Sequence, residues 1–154
     1  MRTIYPFFLV FILSACNSAG TNPENQEDSV VLTSDNISLE RENINLKPIK
    51  TYTETIKSFE TTDEFKVALY ETRQTFRYLI KISYKQMEVE DTLRVPNFGT
   101  PPAVDIVKGD SIHPSCIVGF LDKEKKFRES KLIAFANNKL KVKVLKHYAV
   151  YQSE

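Results

Sequence analysis

The chain has 154 residues, of which 42% are hydrophobic, and 21 lysines and arginines face 20 aspartates and glutamates. This near balance argues against a nucleic-acid partner, because nucleic-acid-binding domains carry a strong basic excess. The length suits one domain, and seven tyrosines and ten phenylalanines supply apolar area for a single core.

The first sixteen residues have the layout of a secretory signal. Arg2 gives a basic start, residues 4–13 form an apolar run, and the small residues Ser14 and Ala15 follow. A membrane-spanning helix needs ~20 apolar residues, about twice this run, and Pro6 lies within it. The pattern therefore predicts a cleaved signal peptide over residues 1–15 rather than a spanning or core helix.

The residues around the expected cut are more specific. Leu13-Ser14-Ala15-Cys16 resembles the lipobox of bacterial lipoproteins. The resemblance implies that Cys16 is the lipid attachment site, that cleavage falls between Ala15 and Cys16, and that the new amine is acylated. Two or more acyl chains hold a protein stably on a membrane, so the implied partner is the lipid bilayer. An ordinary cleaved signal peptide is the alternative.

Features around the cysteine bear on location. Asn17 is not the aspartate that resembles an inner-membrane retention signal, and the first acid after Cys16 is Glu24. The composition, rich in asparagine, lysine and isoleucine, resembles lipoproteins of Bacteroidetes-type organisms. Together these features favour the periplasmic face of the outer membrane, with the inner membrane and the cell surface as alternatives.

Two regions are expected after the signal. Residues 16–35 predict a lipid-anchored flexible tether, because the stretch that begins it has almost no apolar content. A segment of about 20 residues has an r.m.s. span of roughly 25 Å. Residues 36–154 predict a single β-rich globular domain.

Most of this domain shows strand patterns. The clearest lies in residues 75–85, where alternate residues are apolar. Strand-like spacing also occurs in residues 37–46, 52–59, 65–70, 87–95, 104–107, 116–121, 132–136 and 140–144. Residues 62–70 leave a helix as an alternative, since Thr62 could cap one. Asn137-Asn138 predicts a tight hairpin of the primed type, and a phase slip near Val144 predicts a bulge.

These strands predict the fold class. We expect an antiparallel β-sandwich or a partly open barrel of about eight strands, with at most one short helix. The loop at residues 96–102 holds three prolines, which forbid ladder hydrogen bonds.

No residue cluster predicts catalysis, a cofactor or a metal site. Asp110, His113 and Cys116 recur at intervals of three, but Pro114 disfavours a helix and a strand would alternate their faces. With Cys16 lipidated, Cys116 is expected to be a lone buried thiol. His147 has no partner at a defined spacing.

Three further features each have a structural and a functional interpretation. Lys139, Lys141 and Lys143 predict a solvated strand face, with anion or lipid binding as the weaker alternative. Tyr78 and Tyr84 predict core packing rather than a ligand stripe. The loop at residues 97–102 suits either a partner contact or a rigid connection.

The sequence thus favours a non-enzymatic envelope module that binds a protein or glycan, or assists a larger assembly. One alternative is a small envelope hydrolase that uses Asp105, Asp110 or His113 near the Gly109 turn. Another is a small-ligand-binding β-barrel, which requires an interior cavity.

Overall fold

A computed structural model describes residues 37–57, 61–110 and 113–148. The predicted signal peptide, the lipid attachment site Cys16 and the predicted tether lie outside the described residues. Within the described residues there is no helix, and hence none that is long and apolar enough to cross a membrane.

Eight strands make up the regular structure of these residues. They are β1 (Lys50–Lys57), β2 (Thr62–Glu71), β3 (Arg77–Tyr84), β4 (Met87–Arg94), β5 (Ala103–Lys108), β6 (Ser115–Leu121), β7 (Phe127–Ala136) and β8 (Lys139–Val144). Strands β1-β2-β3-β4 form one antiparallel sheet (sheet I) and β5-β6-β7-β8 form another (sheet II), each in chain order. The predicted β-sandwich is confirmed, and the sheets do not close into a barrel.

Strand β3 shows why the alternation in the sequence works as a signal. Tyr78, Ile80, Ile82 and Tyr84 are all buried, whereas Lys81 between them is exposed. Successive side chains of a strand point to opposite faces, so one face of β3 enters the core and the other meets water. The predicted half-buried strand at residues 75–85 is confirmed.

One core joins the two sheets. Its largest fully buried side chains include Phe65 and Ile80 from sheet I and Phe120 and Ile133 from sheet II. Tyr84 of β3 packs on Phe135 of β7 with ring centroids 4.4 Å apart. The space between the sheets is therefore occupied by interlocking apolar side chains, each contributing ~1.5–3 kcal/mol on burial.

The β7–β8 hairpin forms as its asparagines predict. Asn137 and Asn138 have φ angles of 54° and 59°, and Ala136 pairs with Lys139. Two consecutive left-handed residues define the type I′ turn, whose twist matches that of the flanking strands.

Two local predictions are wrong, and for residues 62–70 the favoured strand is confirmed over the helix alternative. Residues 37–46 form no strand, and only an isolated bridge joins Glu40 to Gln74. The helix alternative for residues 62–70 fails because that stretch is the central strand β2. The irregular pairing is not near Val144 but between Val118 and Gly119.

The register of β6 and β7 explains this last difference. Val118 pairs with Lys131 and Gly119 pairs with Glu129, so Ser130 is an extra residue in β7. The missing side chain of Gly119 leaves room for the backbone of β7 to approach at that point.

Contacts between the sheets define two ends of the sandwich, since the start of β3 meets the β4–β5 connection and the end of β3 meets the end of β7. At one end, which we call the proximal end, residues 37–49 lead into β1 beside the β2–β3 loop, the β4–β5 connection and the β6–β7 turn. The β3–β4 and β7–β8 turns lie at the opposite, distal end. Tyr78 ties β3 to the β4–β5 connection at the proximal end, since its hydroxyl donates to the Pro102 carbonyl at 3.1 Å.

Candidate functional site

The residues considered for hydrolysis do not converge. Asp105 lies within β5, pairs with Gly119 and forms an ion pair with Lys50 at 3.3 Å. Asp110 and His113 are exposed beyond the last β5–β6 pair, at the distal end. At ~3.3 Å per residue, five residues place Asp105 roughly 16 Å along the chain from Asp110.

The described residues contain no group of three or more histidine, cysteine, aspartate or glutamate side chains that could hold a metal ion. Strand geometry disfavours a metal site formed by Asp110, His113 and Cys116. The structure places Cys116 in the core and the other two residues on the surface.

Cys116 is a buried free thiol, as predicted. Burial, together with the negative charge of Glu54 on β1, raises the pKa of its thiol from 9.0 to about 12. Tyr52 shares this corner of the core, where burial and a 3.0 Å hydrogen bond donated to Glu54 Oε2 raise its pKa from 10.0 to about 12. The thiolate, the nucleophilic form, is therefore suppressed at neutral pH.

This burial predicts a low thiol reactivity that depends on folding. In the Cys16→Ser variant, where Cys116 is the remaining cysteine, we expect almost no reaction with a disulfide reagent at neutral pH and fast reaction in concentrated guanidinium chloride. Because the folded-state pKa lies above the unfolded value of 9.0, stability should fall as pH rises from there toward 12. Equal labelling rates in the native and denatured states would contradict the buried position.

The predicted core role of the aromatic strand residues is confirmed. Tyr78 and Tyr84 are almost fully buried, and the Arg41 guanidinium lies over the Tyr78 ring, 4.8 Å from its centroid. In the proline-rich loop, Phe98 is buried and packs on Phe120 at 5.7 Å between centroids. The loop thus closes this end of the core, and this packing supports its interpretation as a rigid connection.

The lysines of β8 form a solvated face, as expected. Lys139, Lys141 and Lys143 are exposed, and Leu140 and Val142 between them are half-buried toward the core. The neighbouring His147 is exposed in the segment that follows β8.

No protein-family model, curated protein or solved structure matches this chain. Its candidate sites therefore rest on its own residues and their geometry.

The proximal end has a feature that sequence patterns did not indicate, an arginine that holds a loop. The side chain of Arg41 is 12% exposed and donates to the carbonyl oxygens of Thr72 at 2.8 Å, Gln74 at 2.6 Å and Thr75 at 2.6 Å. Its Nε lies 3.4 Å from Glu71 Oε1. One guanidinium, with donors in a fixed planar arrangement, thus fixes the whole β2–β3 loop.

Backbone hydrogen bonds fasten residues 37–49 to the same loop. The amide of Arg41 donates to the Arg73 carbonyl at 2.8 Å, and the amide of Thr75 donates to the Leu39 carbonyl at 2.9 Å. The Thr75 hydroxyl donates to the Ser38 carbonyl at 2.6 Å. We call the segment 37–49 the lead-in; it is irregular but held in place.

The lead-in displays apolar side chains to solvent. Leu46 is 88% exposed, Leu39 62% and Ile44 41%, whereas most other large apolar side chains of the described residues are at least half-buried. The charged run between Leu39 and Ile44 interrupts an otherwise strand-like spacing, which is a weak sequence signal that this stretch differs from the core strands, but it does not indicate that Leu46 is exposed. Held apolar side chains that face water indicate a contact surface.

Proposed function

We propose that this protein is an exported lipoprotein, anchored to a bilayer through acylated Cys16, whose β-sandwich acts as a non-enzymatic binding or accessory module of the cell envelope. The observation that carries the proposal is the resemblance of Leu13-Ser14-Ala15-Cys16 to a lipobox after a basic start and an apolar run. The periplasmic face of the outer membrane is the proposed location.

The structure of the sandwich supports binding at its surface. Its interior is packed with apolar side chains from both sheets, including Phe65, Ile80 and Phe120, so recognition falls to strands, edges and loops. A small-ligand binder of the barrel type would instead keep space between its strands. An envelope protein or a glycan is the partner class that such an exposed surface suits.

The anchor is tested by Cys16→Ser in the full chain. We expect the wild type to partition with membranes, to gain the mass of its acyl groups and to lose residues 1–15, because the thiol accepts the lipid before cleavage. Cys16→Ser should keep its signal or leave the membrane, and Ser18→Ala should behave like the wild type. Wild-type protein without acyl mass on Cys16, or Cys16→Ser protein that has lost residues 1–15 and still partitions with membranes, would refute the anchor.

The binding role needs a separate experiment. Crosslinking in intact cells, followed by purification of the full-length protein, should recover an envelope protein or glycan. Recovery of nothing beyond membrane lipids would contradict a binding module while leaving the anchor in place.

A further inference from the structure

We infer that the proximal end of the sandwich docks on the bilayer itself, with the apolar side chains of the lead-in entering the headgroup region. This inference rests on the proposed anchor, and it adds an orientation: the domain lies against the membrane with its distal end directed away.

The exposed apolar residues are unevenly distributed over the sandwich. Leu39, Ile44 and Leu46 belong to one segment of thirteen residues, the lead-in. The described residues of the distal turns, such as Lys85, Gln86 and Asn138, contribute none of the large exposed apolar side chains. Of the other exposed large apolar residues, Val144 ends β8 at the proximal end and Val89, the least exposed at 36%, lies in the distal half of β4. Exposed apolar area is therefore concentrated at the proximal end, as a one-sided contact with lipid requires.

Hydrogen bonds hold this apolar surface in shape. Bonds to the β2–β3 loop hold the lead-in on one side of Leu46, and the amide of Ile49 donates to the Leu69 carbonyl at 2.8 Å on the other. The amide of Asn45 donates to Glu71 Oε2 at 2.9 Å. Leu46 therefore stays exposed because its backbone is fixed, and little order has to be gained when it enters an interface.

The proposed anchor precedes the proximal end along the chain. Twenty residues separate Cys16 from Ile37, where the described chain begins. The flexible tether that the sequence predicts here would have a span of roughly 25 Å. The proximal end is thus the part of the sandwich that acyl chains on Cys16 would keep nearest to lipid, and a weak contact suffices at such a high local concentration.

Charge at this end is compatible with a phospholipid surface. Lys47 follows Leu46, and Lys123, Lys125 and Lys126 are exposed in the β6–β7 turn. Lysine side chains reach headgroup phosphates while their stems stay in the interface.

Carboxylates also lie at the proximal end, and several of them are paired. Glu124 lies 2.6 Å from Lys126, Asp122 lies 2.7 Å from Arg128 and Glu40 lies 3.9 Å from Arg73. Because positive and negative charges are mixed at this end, we assign the main contribution to docking to the apolar side chains.

Depth-dependent quenching tests the inference on the full-length lipidated protein. Asn43→Cys in the lead-in and Gln86→Cys in the distal β3–β4 turn are matched labelling sites, since both replace an exposed neutral residue. Cys116 is buried and Cys16 carries lipid, so a fluorophore attaches to the new thiol. Each protein is reconstituted in phosphatidylethanolamine and phosphatidylglycerol vesicles with nitroxide near the lipid headgroup.

We expect the label at residue 43 to be quenched several-fold more strongly than the label at residue 86. Adding Leu39→Asp and Leu46→Asp to the Asn43→Cys protein should remove the difference, and these exposed sites tolerate the change without loss of the fold. Equal quenching at both sites in protein that floats with the vesicles would overturn the docking inference alone. Protein that does not float would overturn the anchor, which separates the two failures.

Discussion

Arg41→Ala should lower the free energy of unfolding by about 3 kcal/mol, because a hydrogen bond from a charged donor contributes ~1.5–3 kcal/mol and several are lost together. The carbonyls of Thr72, Gln74 and Thr75 would lose their shared donor, and Glu71 would lose its counter-ion. The loss stays below the sum of the single bonds, since water can reach part of the loop. Urea unfolding measures it.

Two variants separate the geometry of this guanidinium from its charge. Arg73→Ala removes a neighbouring arginine whose side chain is 80% exposed and 3.9 Å from Glu40, and it should change stability by less than about 0.5 kcal/mol. Arg41→Lys should fall between the two, because an ammonium group cannot reach all three carbonyls at once. We call the Arg41 guanidinium with its bonds to the β2–β3 loop the clamp. If Arg41→Ala and Arg73→Ala lose equal stability, the clamp contributes nothing to stability.

Local patterns predicted the parts of the fold that depend on local chemistry. Strand β3 follows from the alternation of Tyr78, Ile80 and Ile82, because burial of one face is the main determinant of a half-exposed strand. The β7–β8 turn follows from two residues that tolerate positive φ. The burial of Cys116 followed from its apolar neighbours in β6.

Long-range contacts explain what the sequence could not predict. Arg41 meets partners about 30 residues away along the chain, and nothing in its flanking Glu40 and Glu42 indicates them. The lead-in has apolar residues at strand-like intervals, yet its hydrogen bonds go to a loop rather than to a neighbouring strand. The spacing of apolar residues indicates a strand-like segment, but it does not show which distant backbone groups that segment will bond to.

The candidate sites show the same contrast between features that local patterns predict and features that depend on long-range contacts. The separation of Asp105 from Asp110 could be anticipated once both were placed on a strand and its turn. The exposure of Leu46 could not be, since an apolar residue at strand spacing predicts burial. A break between local pattern and tertiary environment is often a functional position, and here it falls in the segment where the described chain begins.

The clamp and the proposed docking surface form one unit. Arg41 holds the β2–β3 loop, and that loop holds the backbone on either side of Leu39. Weakening the clamp should therefore loosen the apolar surface before the core strands open, because proteins unfold locally where buried contacts are fewest. Bilayer docking, in this view, depends on a residue that does not itself touch lipid.

The second large effect is expected at the irregular β6–β7 pairing. A Cβ atom added to Gly119 would overlap the carbonyl oxygen of Arg128 and lie 2.8 Å from Phe127 Cζ. Gly119→Ala should therefore lower the free energy of unfolding by about 3 kcal/mol, because the backbone of a paired strand cannot move aside without breaking its ladder. Thermal and urea unfolding measure the loss.

Two comparisons show whether the backbone or the ring resists the added methyl group. Gly109→Ala brings its Cβ to 2.5 Å from Ser115 Oγ, a side-chain atom that can rotate, so its loss should be clearly smaller. Phe127→Leu removes the ring contact but leaves the Arg128 carbonyl, and it should not rescue Gly119→Ala. Full rescue would show that the ring alone excludes a side chain at residue 119, and that the extra residue Ser130 is not held by close backbone approach.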